Sequence, residues 1–146
     1  HARADDATVI VARTDARGDY GFEAAVTRAA KYLDVGAEWN FSAALQSADE
    51  FRQFRDAVDA PLVANMTEYG KSPLLDFGEL KELGYAAVLY PVTALRIAMK
   101  ATEAALELLA EQGTQRELLD LMQTRQELYD LLEYESYEDR DRDYFG

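Results

Sequence analysis

Thr8-Val-Ile-Val-Ala-Arg13 and the helical segment that follows it, residues 22–35, decide the fold of this chain. The first segment is a short β-branched run with no room for a helix, which is typical of a buried strand. The second segment places apolar residues at helical spacing and is ended by Gly36. A strand followed by an amphipathic helix is the repeating unit of a parallel sheet, so this stretch predicts an α/β fold.

The same unit recurs three more times along the chain. The later predicted strands are residues 37–41, 61–65 and 86–90, and the later predicted helices are residues 47–58, 76–83 and 93–112. Ser47 is the expected N-cap of one helix, with Glu50 three residues later. Four consecutive strand–helix units predict a parallel sheet covered by helices, either an open sheet or half of a (β/α)8 barrel. Because an open four-stranded sheet leaves two long edges exposed, the half barrel is the better interpretation if other features identify the family.

The residues after the fourth helix predict a separate helical segment. Their apolar side is formed by Leu118, Leu119, Met122, Leu128, Tyr129, Leu131 and Leu132. We therefore expect a half barrel over residues 1–112 and one or two C-terminal helices over residues 113–146. A completed barrel does not need these helices for closure, so their apolar side is buried either against the barrel wall or against another subunit. Residues 133–146 are either an ordered interface segment or a partly mobile tail.

Charge and composition exclude several classes of function. The chain carries 28 acidic and 15 basic residues, a net charge of −13, and a field of that sign repels the backbone of nucleic acids. With 49% hydrophobic residues, no apolar run of about 20 residues and no secretory signal pattern, it is expected to be a folded cytoplasmic protein without a membrane segment. The absence of cysteine rules out disulfides and thiolate metal ligands. The acidic excess fits either an ordinary acidic protein or a halophilic enzyme adapted to high salt, and we favour the latter.

Polar residues follow each predicted strand, at the end where the chemistry of a (β/α)8 barrel lies. The four strand ends read Arg13-Thr14-Asp15, Asn40-Phe41-Ser42, Asn65-Met66-Thr67-Glu68 and Tyr90-Pro91-Val92-Thr93. Asp15, Thr67 and Thr93 are equally compatible with caps of the following helices or with loop hydrogen bonds. Arg13 is the strongest candidate, because a guanidinium at the end of a buried strand needs an anionic partner from the protein or from a ligand.

Five stretches of the chain form an ordered series of motifs. They are Val9-Ile-Val-Ala-Arg-Thr-Asp15, Ala64-Asn-Met-Thr-Glu-Tyr-Gly70 followed by Ser72-Pro73-Leu74, Leu89-Tyr-Pro-Val-Thr-Ala-Leu-Arg96, Gly113-Thr-Gln115 and Met122-Gln-Thr-Arg-Gln-Glu-Leu-Tyr129. The series resembles the motifs of the 2-methylisocitrate lyases, which belong to the isocitrate lyase and phosphoenolpyruvate mutase superfamily. The resemblance covers essentially the whole chain. It implies the second half of a (β/α)8 TIM barrel with its C-terminal helices, which in the family exchange between the subunits of a tetramer.

The resemblance also implies an activity and roles for six residues. The activity is the Mg2+-dependent retro-aldol cleavage of 2-methylisocitrate to pyruvate and succinate, a step of propionate catabolism through the methylcitrate cycle. The substrate carries three carboxylates, which explains the need for cationic and amide groups. Arg13 matches the catalytic arginine at the pyruvate end. The matching substrate-binding residues are Arg13, Asn65, Met66, Thr67, Arg96 and Arg125.

Two departures from the family limit this expectation. The metal-binding aspartates and a Lys-Arg-Cys-Gly-His loop belong to the first half of the barrel, so we expect no metal ligand in this chain and no activity from it alone. A chain that starts at His1 just before a strand, without methionine, favours a fragment.

The second departure concerns the substrate. The family reads Phe-Pro-Glu-Ala where this chain reads Phe41-Ser42-Ala43-Ala44, so a carboxylate is missing at Ala43. Isocitrate lyase activity, or another superfamily reaction on a pyruvate-like acid, is therefore an alternative. A third alternative is a non-catalytic α/β module that holds a carboxylate ligand without turning it over.

Overall fold

The computed structural model of the chain describes residue 5 and residues 7–145, and its centre is a parallel sheet. The strands are β1 (Val11–Thr14), β2 (Trp39–Ser42), β3 (Leu62–Asn65) and β4 (Ala87–Leu89). They lie in the order β1-β2-β3-β4, and each adjacent pair is parallel. The prediction of an α/β fold with four parallel strands is confirmed.

Helices connect the strands, as the apolar periodicity predicts. The helices of this part of the chain are α1 (Ala16–Tyr20), α2 (Phe22–Asp34), α3 (Ala48–Ala57), α4 (Phe77–Glu82) and α5 (Thr93–Gln112). The four helices expected from the sequence are present, with ends within two residues of the predicted ones. Helix α1 was not predicted, because five residues are too few to show a helical period.

Side-chain caps fix where two of these helices begin. The Ser47 hydroxyl accepts a hydrogen bond from the Glu50 backbone N–H at 3.1 Å, as expected for an N-cap of α3. The Glu50 carboxylate does not return this bond to Ser47 but accepts from the Gln46 N–H at 2.8 Å. Asp76 and Glu79 form a complete capping box at the start of α4. These local bonds satisfy backbone N–H groups in the first turns of α3 and α4.

The two faces of the sheet differ in burial. One face is covered by helices and forms the hydrophobic core, which includes Ala25, Ala29, Leu45, Phe51, Phe54, Val58, Leu62, Ala64, Met66 and Leu80. The other face is open: Val11 is 46% exposed and Leu89 is 43% exposed. Arg13, Phe41, Asn65 and Leu89 are carried on this open face, because Arg13 pairs with Phe41 and Asn65 with Leu89 across the parallel ladder.

The strands are shorter than the apolar runs that predict them. The run from Thr8 to Arg13 is expected to be a buried strand, but β1 begins at Val11, and Val11 and Arg13 are exposed while Ala12 is half-buried and Thr14 buried. Strand β1 is an edge of the sheet and only one of its faces is covered. Strand β3 begins after Pro61, which has no N–H to donate to the ladder.

Contacts within the chain separate a first compact unit, which ends at Ile97, from a second unit, which begins at Ala98. The second unit contains the rest of α5, a 3-10 helix (Arg116–Leu121), α6 (Arg125–Leu131) and α7 (Tyr134–Phe145). Within it, Thr124 and Glu127 form a capping box at the start of α6. The expected domain boundary between residues 112 and 113 assumes that a completed barrel does not need the later helices for closure. This boundary stays a prediction.

None of the helices in the part of the chain that the structure describes combines the length and apolar character that a membrane crossing needs.

Candidate functional site

A cavity of about 500 Å³ lies at the carboxyl ends of the four strands, within the first unit. Its lining residues are Arg13, Phe41, Ala44, Asn65, Thr67, Gly70, Lys71, Ser72, Leu89 and Pro91. The sheet register places Arg13, Phe41, Asn65 and Leu89 on the same open face. The cavity therefore brings together side chains that are up to 78 positions apart (13 to 91). The volume is within the range of about 300–1,000 Å³ that small-molecule sites occupy.

Arg13 is held in the cavity by two neighbours on the protein. Its guanidinium donates to both carboxylate oxygens of Asp15, at 2.8 and 3.1 Å, and lies 5.0 Å from the centre of the Phe41 ring. The hydrogen bond from Arg13 holds the pKa of the Asp15 carboxyl below its usual range. Asp15 is therefore the anionic partner that the sequence required, and it does not use its side chain to cap α1. The pair is 56% and 59% exposed, so Arg13 remains accessible from the cavity.

The segment after β3 places its predicted residues in different environments. Asn65 and Thr67 line the cavity, and both are partly buried. The Met66 side chain is only 2% exposed and packs in the hydrophobic core, while its backbone N–H donates to the Leu89 carbonyl at 2.9 Å. A direct contact of Met66 with a substrate stays a prediction.

Arg96 lies beside the loop that carries Thr67. Its Nε is 3.9 Å from Glu68 Oε2 and its guanidinium is 5.3 Å from the centre of the Tyr69 ring. The Thr93 hydroxyl donates to the other oxygen of Glu68, so Thr93 ties the start of α5 to this loop. That hydrogen bond lowers the pKa of Glu68, and the charge of Arg96 contributes in the same direction. Sequence reasoning named Arg96 but missed Glu68 as its partner.

Two loop residues at this end of the sheet have left-handed backbone conformations. Ala44 has φ 64° and Tyr69 has φ 60°, a region that side-chain-bearing residues rarely adopt. Ala44 lines the cavity, and Tyr69 precedes the lining residue Gly70. Strained backbone of this kind is concentrated at functional sites. The sequence carries no signal for it, since neither residue is glycine or asparagine.

Two further positions singled out from the sequence, Arg125 and Ala43, are not among the residues that line this cavity. Arg125 is the first residue of α6 in the second unit, and its side chain is exposed. Ala43, where the resemblance implies a glutamate, is 8% exposed, and its N–H donates to the Thr14 carbonyl at 2.9 Å. The role of Arg125 as a substrate ligand stays a prediction.

The cavity does not have the donor set of a Mg2+ site. Mg2+ takes oxygen ligands, and carboxylates above all, whereas this cavity presents Arg13 and Lys71, two cations. The carboxylate of Asp15 already accepts hydrogen bonds from Arg13 with both of its oxygens. Among residue 5 and residues 7–145 there is no group of three or more histidine or acidic side chains that could hold a metal ion.

A parallel sheet with a polar cavity at the carboxyl ends of its strands is the arrangement of α/β enzymes in which loops supply the chemistry. Comparisons identify which of these enzymes the chain is similar to. The family model for phosphoenolpyruvate phosphomutase matches residues 1–110. The chain therefore belongs to the phosphoenolpyruvate phosphomutase family, which is part of the PEP mutase/isocitrate lyase superfamily.

Individual relatives carry the similarity further along the chain. A protein of Corynebacterium glutamicum named probable 2-methylisocitrate lyase 1 is 56% identical over 137 residues, which cover 93% of this chain and 45% of the relative. A crystal structure of 2,3-dimethylmalate lyase is 32% identical with a TM-score of 0.82, and the match covers 92% of this chain and 47% of that one. A structure of phosphonopyruvate hydrolase with oxalate and Mg2+ is 26% identical with a TM-score of 0.84, covering 99% and 52%.

The share of each relative that the chain matches shows which part of the fold is present. The chain spans about half the length of the curated relatives it matches, and it matches their C-terminal half. The structural neighbours are TIM-barrel enzymes of the superfamily. The prediction of the second half of a (β/α)8 barrel with C-terminal helices is confirmed.

Proposed function

We propose that this chain is the C-terminal half of a carbon–carbon lyase that cleaves 2-methylisocitrate to pyruvate and succinate. The observation that carries the proposal is the position of Arg13, accessible in a cavity that also presents Asn65 and Thr67. The names of the curated relatives support the choice of reaction. We use "complete enzyme" for this chain joined to the half of its relatives' length that it does not span.

The chemistry of the reaction explains the polarity of the cavity. In a retro-aldol cleavage the tertiary hydroxyl of the substrate loses its proton and the neighbouring carbon–carbon bond breaks. The bonding pair stays on the succinate fragment as a carbanion, which then takes up a proton. Arg13 is placed to bind the carboxylate and the alkoxide at the pyruvate end, because its planar guanidinium offers two parallel donors. The Asn65 amide and the Thr67 hydroxyl donate to the carboxylates of the succinyl part.

The apolar part of the cavity favours the methylated substrate. Phe41, Leu89 and Pro91 provide a hydrophobic wall beside the polar groups. Contact with one additional methyl group is worth about 1–3 kcal/mol, which corresponds to about 10- to 200-fold in discrimination. This wall supports 2-methylisocitrate over isocitrate.

A second candidate function is a different superfamily reaction on a pyruvate-like acid, including isocitrate cleavage. It is favoured by Ala43, a small buried side chain where the resemblance implies a glutamate. Without that carboxylate, proton transfer has to use a different group, and a different substrate becomes compatible with the site.

We also propose that the complete enzyme uses Mg2+ bound outside this chain and that it assembles through its C-terminal helices. The phosphonopyruvate hydrolase structure, which contains oxalate and Mg2+, supports the metal. Exposed apolar side chains support association with other subunits, which we propose to be a tetramer: Leu106 is 60% exposed, Leu121 is 83% exposed and Leu131 is 67% exposed. Burying such side chains against another subunit removes them from water.

The test is an assay of the complete enzyme with identified products. Incubation with 2-methylisocitrate is expected to release pyruvate and succinate, and isocitrate is expected to be cleaved at least about 10-fold less efficiently. Glyoxylate from isocitrate as the preferred product would favour the second candidate. Binding of these acids without any cleavage would identify a non-catalytic carboxylate-binding module.

A further inference from the structure

Lys71 differs from the other three lysines of the chain, because it lies neither in an ion pair nor in the last turn of a helix. Lys100 pairs with Glu103 at 2.6 Å. Lys31 and Lys81 lie in the last turns of α2 and α4, where a cation complements the helix dipole. Lys71 lies in the loop between β3 and α4 and has no hydrogen-bond or ion-pair partner among the residues that the structure describes.

Lys31 and Lys81 also have no ion-pair partner among the described residues, so it is the position of Lys71 that distinguishes it. Lys71 lines the cavity with Arg13, Asn65 and Thr67. Arg13 already has Asp15 as its counter-ion. The uncompensated positive charge of the cavity therefore comes from Lys71.

The Lys71 side chain reaches across the cavity toward the first strand–helix unit. Its Nζ lies 3.2 Å from the position that a Cβ on Gly18 would occupy. Gly18 is in α1, the helix that follows Asp15 and the strand of Arg13. The missing side chain of Gly18 leaves room for the ammonium group beside α1.

We propose that Lys71, together with Asn65 and Thr67, binds the succinyl part of the substrate and takes one of the two carboxylates that Arg13 does not contact. This inference rests on the proposed function and adds a residue to it. An ammonium group is a compact point charge with three donors, so it attracts a carboxylate without imposing the two-point geometry of a guanidinium. Lys71 is a binding residue in this account, and the bond-breaking step does not depend on it.

The experiment compares Lys71→Met with Lys31→Met in the complete enzyme. Both changes remove one positive charge from an exposed lysine, but Lys31 is on α2 and does not line the cavity. Lys71→Met is expected to raise the KM for 2-methylisocitrate about 10- to 100-fold, the typical effect of losing a hydrogen bond to a charged group. The kcat of Lys71→Met is expected to change little. Lys71→Arg is expected to recover much of the affinity for 2-methylisocitrate, and Lys31→Met is expected to behave as wild type.

A second measurement separates this inference from the proposed function. Calorimetric titration with succinate is expected to give a Kd about 10- to 100-fold higher for Lys71→Met than for wild type or Lys31→Met, whether or not 2-methylisocitrate is cleaved. Active wild-type enzyme with unchanged KM and succinate Kd in Lys71→Met would overturn the inference and leave the proposed function standing. Inactive wild-type enzyme with weakened succinate binding in Lys71→Met would overturn the proposed function and leave Lys71 as a carboxylate-binding residue.

Discussion

Arg13 shares its guanidinium between the carboxylate of Asp15 and the face of the Phe41 ring, and this arrangement keeps it ordered without removing it from water. An exposed ion pair contributes little to stability, because solvent screens the attraction and two side chains lose freedom. The structural benefit of Arg13 is therefore small. Its position in the cavity is explained by a ligand better than by folding.

Arg13→Lys in the complete enzyme tests this account at the level of one residue. The change keeps the charge but loses the planar pair of donors, so turnover of 2-methylisocitrate is expected to fall about 100- to 1000-fold with little change in melting temperature. Arg28→Lys is the matched control, since Arg28 also lies 5.0 Å from an aromatic ring, that of Tyr20, but does not line the cavity. Near-normal turnover together with a clearly lower melting temperature would assign Arg13 a structural role instead.

Asn40 is a second residue whose environment makes a prediction. Its side chain is 0% exposed, and neither its oxygen nor its nitrogen has a hydrogen-bond partner among the described residues. An unsatisfied buried polar group costs about 1–3 kcal/mol, whereas an apolar group of similar size does not. Asn40→Leu is therefore expected to raise the free energy of unfolding of the complete enzyme by about 1 kcal/mol or more. A loss of stability in urea unfolding would mean that an internal water satisfies this amide.

At the scale of elements, an ion pair between α1 and α3 holds the helix that the sequence did not predict. Arg17 donates to both oxygens of Glu50, at 2.6 and 2.8 Å, and both side chains are less than one fifth exposed. Arg17 also donates to the Gln46 side chain at 3.0 Å. Helix α1 is too short to be stable by itself, so contacts of this kind keep it in place beside the cavity.

This ion pair predicts a specific response to acid. The hydrogen bond from Arg17 lowers the pKa of Glu50 from its ordinary value of 4.5. A carboxyl whose pKa is lower in the folded state stabilises the fold above its ordinary pKa, and the contribution is lost as the pH falls through the lowered value. Arg17→Met is expected to lower the melting temperature of the complete enzyme by several degrees at pH 7. The effect is expected to be smaller at pH 3, where protonation of Glu50 weakens the pair in the unchanged protein.

The control for this prediction is Arg52→Met. Arg52 pairs with Asp49 on the surface of α3, where the two side chains are 58% and 76% exposed, so its loss is expected to have little effect at either pH. Equal effects of Arg17→Met and Arg52→Met at pH 7 would show that the pair between α1 and α3 does not stabilise the fold.

Several elements could be predicted from the sequence, and the physical reason for each failure is specific. The periodicity of α2 and α3 and the cap at Ser47 are local signals, so they were predicted. Helix α1 was missed because five residues show no period. The pairing of Glu68 with Arg96 depends on how a loop and a helix meet across 28 positions, which no local pattern encodes. The same holds for Lys71, since only the fold brings it to Gly18.

At the scale of the whole molecule, the open face of the sheet is the main consequence of spanning half of a barrel. Strands β1 and β4 are the edges of the sheet, and Val11, Arg13 and Leu89 are exposed on its open face. Exposed edges and apolar faces favour association between chains. Residues 1–146 expressed alone are expected to self-associate or aggregate in light scattering. A monodisperse monomer with a cooperative melting transition would contradict the half-barrel account.

The net charge of −13 makes a second prediction for the molecule as a whole. Repulsion between like charges is screened more strongly in concentrated salt, since the Debye length falls from about 10 Å at 0.1 M to about 3 Å at 1 M. If the chain is adapted to high salt, the melting temperature of the complete enzyme is expected to rise between low salt and molar KCl. An unchanged or lower melting temperature in molar KCl would reject this adaptation.

A crystal structure of the complete enzyme with pyruvate and succinate bound would show most directly whether the substrate site lies at these strand ends. We expect the ligands to occupy the cavity at the strand ends, with one carboxylate on Arg13 and another within hydrogen-bond distance of Asn65 or Thr67. We also expect further strands to cover the sheet face that carries Val11 and Leu89. Ligands bound away from this cavity, or a sheet that stays open on that face, would contradict both the proposed site and the half barrel.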